Sequence, residues 1–581
     1  MKLKQLLSVL LVALLVLSLA ACAPAASSSA ASKPSSTVSK DENPTSSEAE
    51  KIVFPTEDNP VTITLYPANA NLTSGTVTGW RGDFFRKQGL VIEVWAYSDD
   101  RTNAILASGT LPDIMYTSDA NLVTMIEGNM LLDLTDYIDD MPHVSSNSDV
   151  MTALNYVKKF DSADTGKLYY MPLAVGPGSV TTDTERYALR LNWEAYKAAG
   201  SPEITDVYSL IDVVKKMKEA YPTTADGTKV EGAWLCSGQD AKYFGGMLSW
   251  YGMMGYSMDN LQYLIETDMF GETYASILED NSMYYQGLKW LNALYQNGLL
   301  AEDSISTDRP TTQSLVKDAK AVLMPLIVSP GWAPTYMQIY VEGEKIYYHN
   351  FSDYGTGGGI SVNAKTENLE ACFAFIDMMA TPESYLVVRD GPDGEFWYTA
   401  DDGHAYLTEK ALDCTRNNEK FVFSDGSPKD LWNTAWIINR GTLCSDLTDT
   451  NGNPRVMRAE KWDEALEIAN STETMDEWRK LTGYDNWLEL LSDKKALKTE
   501  SKLDNVTKFA ELLPETMELT VSSLKDAVVS ASWNMVYAKT DAEFEALWAK
   551  MVKDCTDLGA QSVIDWRLDA LKTAMDKKNS I

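Results

Sequence analysis

Apolar and polar residues alternate over Val61-Thr62-Ile63-Thr64-Leu65-Tyr66, the period-two pattern of a half-buried strand. A Gly/Asn/Thr-rich loop, Asn69 to Gly79, follows it. Next come a short helical pattern over Gly82 to Lys87 and a second strand, VIEVWAY, within Leu90 to Tyr97. Ala104, Ile105 and Leu106 finish another helical pattern, and Gly109 stands where a helix would stop. Pro112 holds Leu111 extended, and Asp113-Ile114-Met115-Tyr116 reads as a strand. Thr117-Ser118-Asp119 falls at its carboxyl end, ahead of a helix over Leu122 to Gly128. Strand, helix, strand, helix, strand in that order predicts a mostly parallel sheet covered on both faces. In such a sheet ligands sit at the carboxyl ends of the strands.

The α/β pattern continues. Gly166 to Leu173 reads as a strand ending in a Pro/Gly-rich turn, and Tyr187 to Leu191 as another. Asn192 opens a helix that stops at Gly200, and Thr205 reads as the cap of an amphipathic helix over Val207 to Ala220. Ala233 to Leu235 is strand-like, Phe244 to Gly255 an aromatic helix with spaced glycines, and Tyr284 to Gly298 an amphipathic helix. The strand Ala321 to Val328 runs into Ser329-Pro330-Gly331-Trp332. Gly357-Gly358-Gly359 precedes the strand Ile360 to Val362, and Leu369 to Ala380 is helical. From about Asp401 the chain reads as mostly helical with exposed charge. With 581 residues and no internal repeat, the chain exceeds a single hydrophobic core.

The amino terminus differs from the rest. Lys2 and Lys4 precede an apolar run from Leu6 to Leu19, the layout of an export signal. Leu19-Ala20-Ala21-Cys22 resembles a bacterial lipobox, in which Cys22 becomes the lipid-modified first residue. Residues 23–50 are rich in Ser, Ala, Thr and Pro, too poor in large apolar groups to fold, and read as a flexible tether. A chain of this layout sits at the cell membrane, lipid-anchored, with its body facing outward.

Charge narrows the function. Eighty-three acidic against 50 basic residues give a formal charge of −33, and no Lys/Arg cluster suits a phosphate backbone, so nucleic acid is not an expected partner. Three scattered histidines, His143, His349 and His404, weigh against a His-rich zinc site or a Ser-His-Asp triad. After Cys22 come Cys236, Cys372, Cys414, Cys444 and Cys555, with no CxxC spacing; a Cys414–Cys444 bridge stays open. Asp446, Asp449 and Asn451 near Gly452 faintly suggest a calcium loop but miss the EF-hand register. No G-x-x-x-x-G-K-[ST] occurs, so no nucleotide cradle, and no cofactor or metal, is expected.

An ordered set of short motifs carries a family resemblance: the lipobox; Leu106-Ala107-Ser108-Gly109-Thr110-Leu111-Pro112-Asp113-Ile114; Leu131-Leu132-Asp133-Leu134-Thr135; and Gly166-Lys167-Leu168-Tyr169 with Pro172. Leu189-Arg190-Leu191-Asn192-Trp193, Gly287-Leu288-Lys289 with Asn297-Gly298-Leu299, Lys320-Ala321-Val322-Leu323-Met324, and Phe373 to Met379 before Pro382-Glu383 continue it. Lys539-Thr540-Asp541-Ala542-Glu543-Phe544 fits as well. The chain resembles the extracellular solute-binding lipoproteins of bacterial ABC importers, in the carbohydrate-associated group (family 1-like). The resemblance implies a two-lobed periplasmic-binding-protein-like fold of type II, hinge-linked, with an additional helical C-terminal region. It implies an amino-terminal lobe from residues 51–172 and 357–395. Residues 173–356 and 396–581 would form the carboxy-terminal lobe with its extra helices. It further implies a monomer that captures a sugar, an oligosaccharide, between the lobes and delivers it to a cognate ABC permease without catalysis.

Sugars present apolar ring faces and a rim of hydroxyls, so the site needs aromatic platforms with polar side chains around them. Trp332 is the first candidate, in the turn where related sugar binders place a stacking Trp. Asp119, with Ser118 and Thr117, forms the lip and should face Trp332; capping of the next helix is the alternative role. Trp80 and Tyr66 flank the first loop, which family members use for ligand contacts; Trp80 is a candidate contact with packing as the equal alternative, whereas Tyr66 is read as packing. Trp250 and Tyr251 sit at helical spacing, which favours a core role with one of them toward the cleft as the alternative. Tyr354 stands beside Gly355-Thr356-Gly357-Gly358-Gly359, glycines suited to backbone bending or close ligand approach. Trp397, Trp432 and Trp436 are read as packing. A surface glycoside hydrolase or lyase, or a binder of peptides on the same fold, are the competing functions.

Overall fold

The alternation in the first strand has a direct consequence: Ile63 and Leu65 are buried, and Val61–Tyr66 pairs in parallel with both Leu90–Val94 and Ile114–Thr117. The computed structural model describes residues 52–69, 71–177, 188–235, 244, 247–324, 335–349, 351–432 and 443–580. The signal, the tether, Cys22, Cys236, Trp332 and Trp436 lie outside the described residues. The first sheet runs Gly75–Thr76, Leu90–Val94, Val61–Tyr66, Ile114–Thr117, Thr356–Val362, Met171–Leu173. The helices Gly79–Lys87 and Asp99–Ser108 make the crossovers, and the second ends on Gly109 in the left-handed region at φ 66°. Thr356–Val362, here called the return strand, runs antiparallel to both its neighbours because the chain comes back from the second lobe.

The second sheet has the order Tyr336–Gln338, Arg190–Asn192, Ala321–Met324, Glu231–Ala233. All four residues of Ala321–Met324 are buried, as suits a central strand. Amphipathic helices Ser209–Ala220 and Met283–Gln296 bury their apolar faces in this lobe. Between the sheets, Gly176–Pro177 pairs antiparallel with Phe351–Ser352. The chain crosses between the lobes along these two short strands, which form a paired hinge. Thr205 does not cap Ser209–Ala220: Asp206 accepts from the Tyr208 and Ser209 amides at 2.9 and 2.8 Å. An Asx turn takes the cap's place.

The region beyond Asp401 differs from the sequence expectation in two ways. It is not mostly helical at first, since Trp397–Thr399 pairs with Ala405–Leu407 and Leu443–Thr448 with Pro454–Val456. Gly403 and Gly452, both with positive φ, make the turns, and the Asp-Gly and Asn-Gly signals were the legible sign of hairpins. Its contacts also run to the first lobe, although 396 onward was expected with the second. Arg81 donates to the Val388 carbonyl and to Ser427 Oγ, both at 3.0 Å, and Asn69 Nδ2 donates to the Leu431 carbonyl at 3.0 Å. Trp432 lies 5.9 Å from the Phe85 ring. Contacts with the second lobe begin near residue 477, where Trp193 Nε1 donates to Glu477 and Trp478 Nε1 to the Gln338 carbonyl, both at 2.8 Å. The helix Pro382–Asp390 packs against the turn Lys429–Trp432 and the strand Leu443–Thr448, which keeps this region with the first lobe.

A buried charge network fixes that attachment. Arg389 pairs with Asp390 at 2.8 Å and with Glu460; Lys429 reaches Asp390 at 2.9 Å and Glu460 at 3.2 Å. Burial would push the Glu460 carboxyl up, but Arg389 and Lys429 outweigh this and hold it well below the usual carboxylate range. A depressed carboxylate stabilises the fold above its unfolded pKa, and that contribution is lost as pH falls through the folded value. Glu460→Gln should therefore destabilise the protein by about 3–5 kcal/mol at neutral pH, because it leaves Asp390 alone to balance both Arg389 and Lys429. In denaturation at a series of pH values, the gap from wild type should narrow below about pH 4. A gap that stays constant into acid contradicts the assignment.

Candidate ligand-binding site

Asp113 pins the strand that carries the lip. Its carboxylate accepts from the Thr64 amide at 2.8 Å, Thr64 Oγ1 at 2.7 Å and Thr366 Oγ1 at 2.6 Å. Burial pushes this carboxyl up, yet the hydrogen bonds from Thr366 and Thr64 prevail and keep it low and ionised. The Leu111-Pro112-Asp113-Ile114 motif thus joins the first strand, the lip strand and the residues after the return strand. The return strand then passes very close. A Cβ on Gly358, at φ 80°, would meet the Thr117 carbonyl, with Ser118 Cα and the Tyr116 hydroxyl each at 3.0 Å. A Cβ on Gly359 would meet the Met171 carbonyl and the Tyr170 ring. These two glycines serve close backbone packing at the lip.

The lip residues separate. Thr117 is 1% exposed and its hydroxyl turns inward toward Met125 Sδ at 3.9 Å, so the expectation that it contacts ligand is corrected. Its strand position sends the side chain to the buried face. Ser118 is half-buried and takes the N-cap position of the helix Asp119–Glu127, but its side chain makes no capping bond. Asp119 is exposed in the first helical turn and is not the cap. Both side chains stand at the carboxyl end of the lip strand, available for contact.

Trp80 packs. Its ring carries the Arg81 guanidinium at 4.1 Å and meets the Phe423 edge at 5.1 Å, because the segment 421–427 folds over this helix. It is not the open platform the sequence allowed. Trp250 and Tyr251 take the core role that their helical spacing favoured, and the alternative of one facing the cleft as a ligand contact is corrected. Trp250 is 3% exposed, donates to the Met283 carbonyl at 3.1 Å and stacks 5.5 Å from Trp290. Gly287 makes room for it, since a Cβ there would lie 2.6 Å from Trp250 Cδ1. Tyr251 is fully buried and donates to Glu266 at 2.9 Å, with burial pushing its phenol well up. Trp397 and Trp432 are buried, as expected of packing residues. Asp449 spends its carboxylate on the Asn451 and Asn453 amides, both 2.8 Å, in a hairpin turn. Among the described residues no group of His, Cys, Asp and Glu is arranged to hold a metal, and Cys372, Cys414, Cys444 and Cys555 are free.

Tyr354 lies just ahead of the return strand. It is half-buried, stacked on Tyr156 at 4.5 Å and 21°, with Phe509 edge-on at 5.4 Å. Around it stand residues that the sequence reading missed. Lys508 donates to the Gly355 carbonyl, and its ammonium lies in the field of Asp119, Asp161 and Asp353. Lys508 is exposed as a residue, but desolvation by its surroundings pulls the ammonium down, and the three carboxylates oppose the shift. Asp161 accepts from Tyr170 at 2.7 Å; burial pushes its carboxyl up, and the Tyr170 bond works against this. Asp119 also acts on Tyr116, Tyr156 and Tyr170, raising each phenol further above its burial-driven rise. The result is a hinge-side face of phenols, carboxylates and one ammonium beside an exposed Asp119. Such groups donate to and accept from hydroxyls, and the ring of Tyr354 offers apolar surface. Nothing in Leu503-Asp504-Asn505-Val506-Thr507-Lys508-Phe509 signals this, because the approach to Tyr354 and Gly355 exists only once the chain is folded.

Comparisons place these features among known proteins. Solved structures share the fold across almost the whole chain at low identity. An extracellular solute-binding protein from Bifidobacterium longum subsp. infantis has a TM-score of 0.56 at 15% identity, covering 90% of this chain and 100% of its own. The N-glycan transport solute-binding protein NgtS of Streptococcus pneumoniae has a TM-score of 0.51 at 13% identity, covering 90% and 100%. The S. pneumoniae ABC-transporter substrate-binding protein FusA, an EF-hand mutant in complex with fructo-nystose, has 0.54 at 13%, covering 90% and 100%. No curated protein matches the sequence. The family of bacterial extracellular solute-binding proteins matches residues 83–388, more than half of the chain, from the first crossover helix through the return strand to the helix Pro382–Asp390. The chain therefore belongs to the bacterial extracellular solute-binding protein family.

Proposed function

We propose that this protein is the substrate-binding component of an ABC importer, capturing a sugar, an oligosaccharide, between its lobes and passing it to a membrane permease. The observation that carries the reading is the paired hinge, Gly176–Pro177 on Phe351–Ser352, beside a lip that presents Asp119, Ser118 and Tyr354. Hinged lobes close around a solute. A polar lip with an aromatic ring suits hydroxyl-rich rings. Structural neighbours described as HMO binding, as an N-glycan transport protein or as in complex with fructo-nystose support the sugar class. Trp332 supplies the stacking platform in this reading. Cys22 carries the lipid that holds the monomer at the outer face of the membrane, with residues 23–50 as tether. The protein binds and releases its ligand unchanged.

Three measurements test this. In a thermal-shift screen of neutral oligosaccharides with product analysis, one glycan class should stabilise the protein stoichiometrically and be recovered intact. Stabilisation by peptides alone, or product accumulating with time, contradicts the reading. For the glycan that binds, Asp119→Asn or Trp332→Ala should weaken affinity about tenfold with little change in melting temperature. Trp250→Ala should instead cost about 3–5 kcal/mol of stability and leave the affinity of the folded fraction unchanged. The reverse pattern would move the site from the lip to the second-lobe core. Finally, Cys22→Ser should shift the protein from the membrane to the soluble fraction; retention at the membrane removes the anchor.

A further inference from the structure

The segment 499–509 lies between the short strand Leu497–Lys498 and the long helix Glu515–Val536. Its flanks belong to the second lobe: Leu497–Lys498 pairs with Ile346–Tyr347, and the C-terminal helix Ala560–Lys578 packs on the turn Val506–Phe509. Its side chains nevertheless hold the hinge crossing and the first lobe. Both ring nitrogens of His349 face acceptors, the Thr499 carbonyl at 3.1 Å and Asp353 at 3.2 Å, and Asn505 donates to the same Asp353 carboxylate. Lys508 donates to the Gly355 carbonyl. Residues 349–355 are therefore gripped at both ends of the crossing that contains Phe351–Ser352.

The grip extends to the first lobe through Phe509. Its ring stands edge-on to Tyr156 at 5.2 Å, Phe160 at 5.0 Å and Tyr354 at 5.4 Å. Tyr156, on the helix Ser148–Phe160, donates its hydroxyl to the Lys508 carbonyl at 3.1 Å. A second point of attachment lies nearby, where Lys159 donates to the Ser580 carbonyl at 3.2 Å and hydroxyl at 3.0 Å. Edge-to-face aromatic contacts are favourable beyond their buried area, so three on one ring make a specific seat.

We propose that the turn Val506–Phe509 is a clasp across the hinge, tying the lobes outside the two hinge strands, and that Lys508 is its positioning residue. Lys508 acts on the lip through the Gly355 carbonyl, which begins the return strand's approach, and its ammonium lies in the field of Asp119. Hinge bending must carry the clasp with the first lobe or release it, so the clasp sets how readily the lobes part. Its consequence for binding rests on the solute-binding reading above, but its contacts do not.

Hydrogen exchange of the full ligand-free chain, followed by mass spectrometry, tests the clasp without any ligand. Phe509→Ala and Lys508→Met should speed exchange about tenfold in peptides covering 349–359 and 148–160. Peptides covering Ala321–Met324 in the second sheet should exchange as in wild type. Lys508→Arg should keep most of the protection, since it preserves a donor for Gly355 and a cation for Asp119. No change in the Lys508→Met chain, or a rise shared equally by every peptide, overturns the proposal. Local loss of protection in a protein that binds no glycan would uphold the clasp and remove the sugar reading. Normal protection in a protein that binds glycan would do the reverse.

Discussion

Where the return strand runs between the lip strand and Met171–Leu173, neighbouring carbonyls leave no room for a side chain at Gly358 or Gly359. Much of the architecture follows from that approach. It lets the chain come back from the second lobe as a central strand of the first sheet. It sets Ser118 and Asp119 directly beside the hinge crossing, and brings Tyr354 within one short segment of the lip. Asp113 secures the other end of the same strand pair through Thr64 and Thr366. A half-buried carboxylate satisfied by several hydrogen bonds is costly to disturb, so it holds the lip strand in place.

The sequence carried the fold further than the site. Period-two alternation in Val61–Tyr66, the glycine stop at Gly109 and the proline at Pro112 each mark a local backbone preference that the folded chain keeps. Sugar-site candidates were harder because an aromatic residue reads the same whether it stacks on ligand or on another ring. Trp80, Trp250 and Tyr251 were all consumed by packing, on Phe423, Trp290 and Glu266 respectively. Thr117 and Asp119 sit two residues apart, yet strand alternation buries the first and the helix start exposes the second. Lys508 and Asp161 could not be chosen from sequence, since isolated charges among 133 ionisable Asp, Glu, Lys and Arg side chains (83 acidic plus 50 basic) have no signature.

The region after residue 390 shows how one charged cluster can decide allegiance. Arg389, Asp390, Lys429 and Glu460 neutralise one another out of water, and they tie the turns Lys429–Trp432 and Ala459–Lys461 to the helix Pro382–Asp390 of the first lobe. Later helices build on the second lobe and send the turn Val506–Phe509 back to the hinge. The chain thus crosses its own lobe boundary more often than its two hinge strands suggest. Small-angle X-ray scattering, recorded before and after adding a stabilising neutral oligosaccharide, tests the central claim most directly. The account predicts that the radius of gyration falls on addition and that the glycan is recovered intact. An unchanged radius at saturating glycan, or a glycan recovered cleaved, would contradict it.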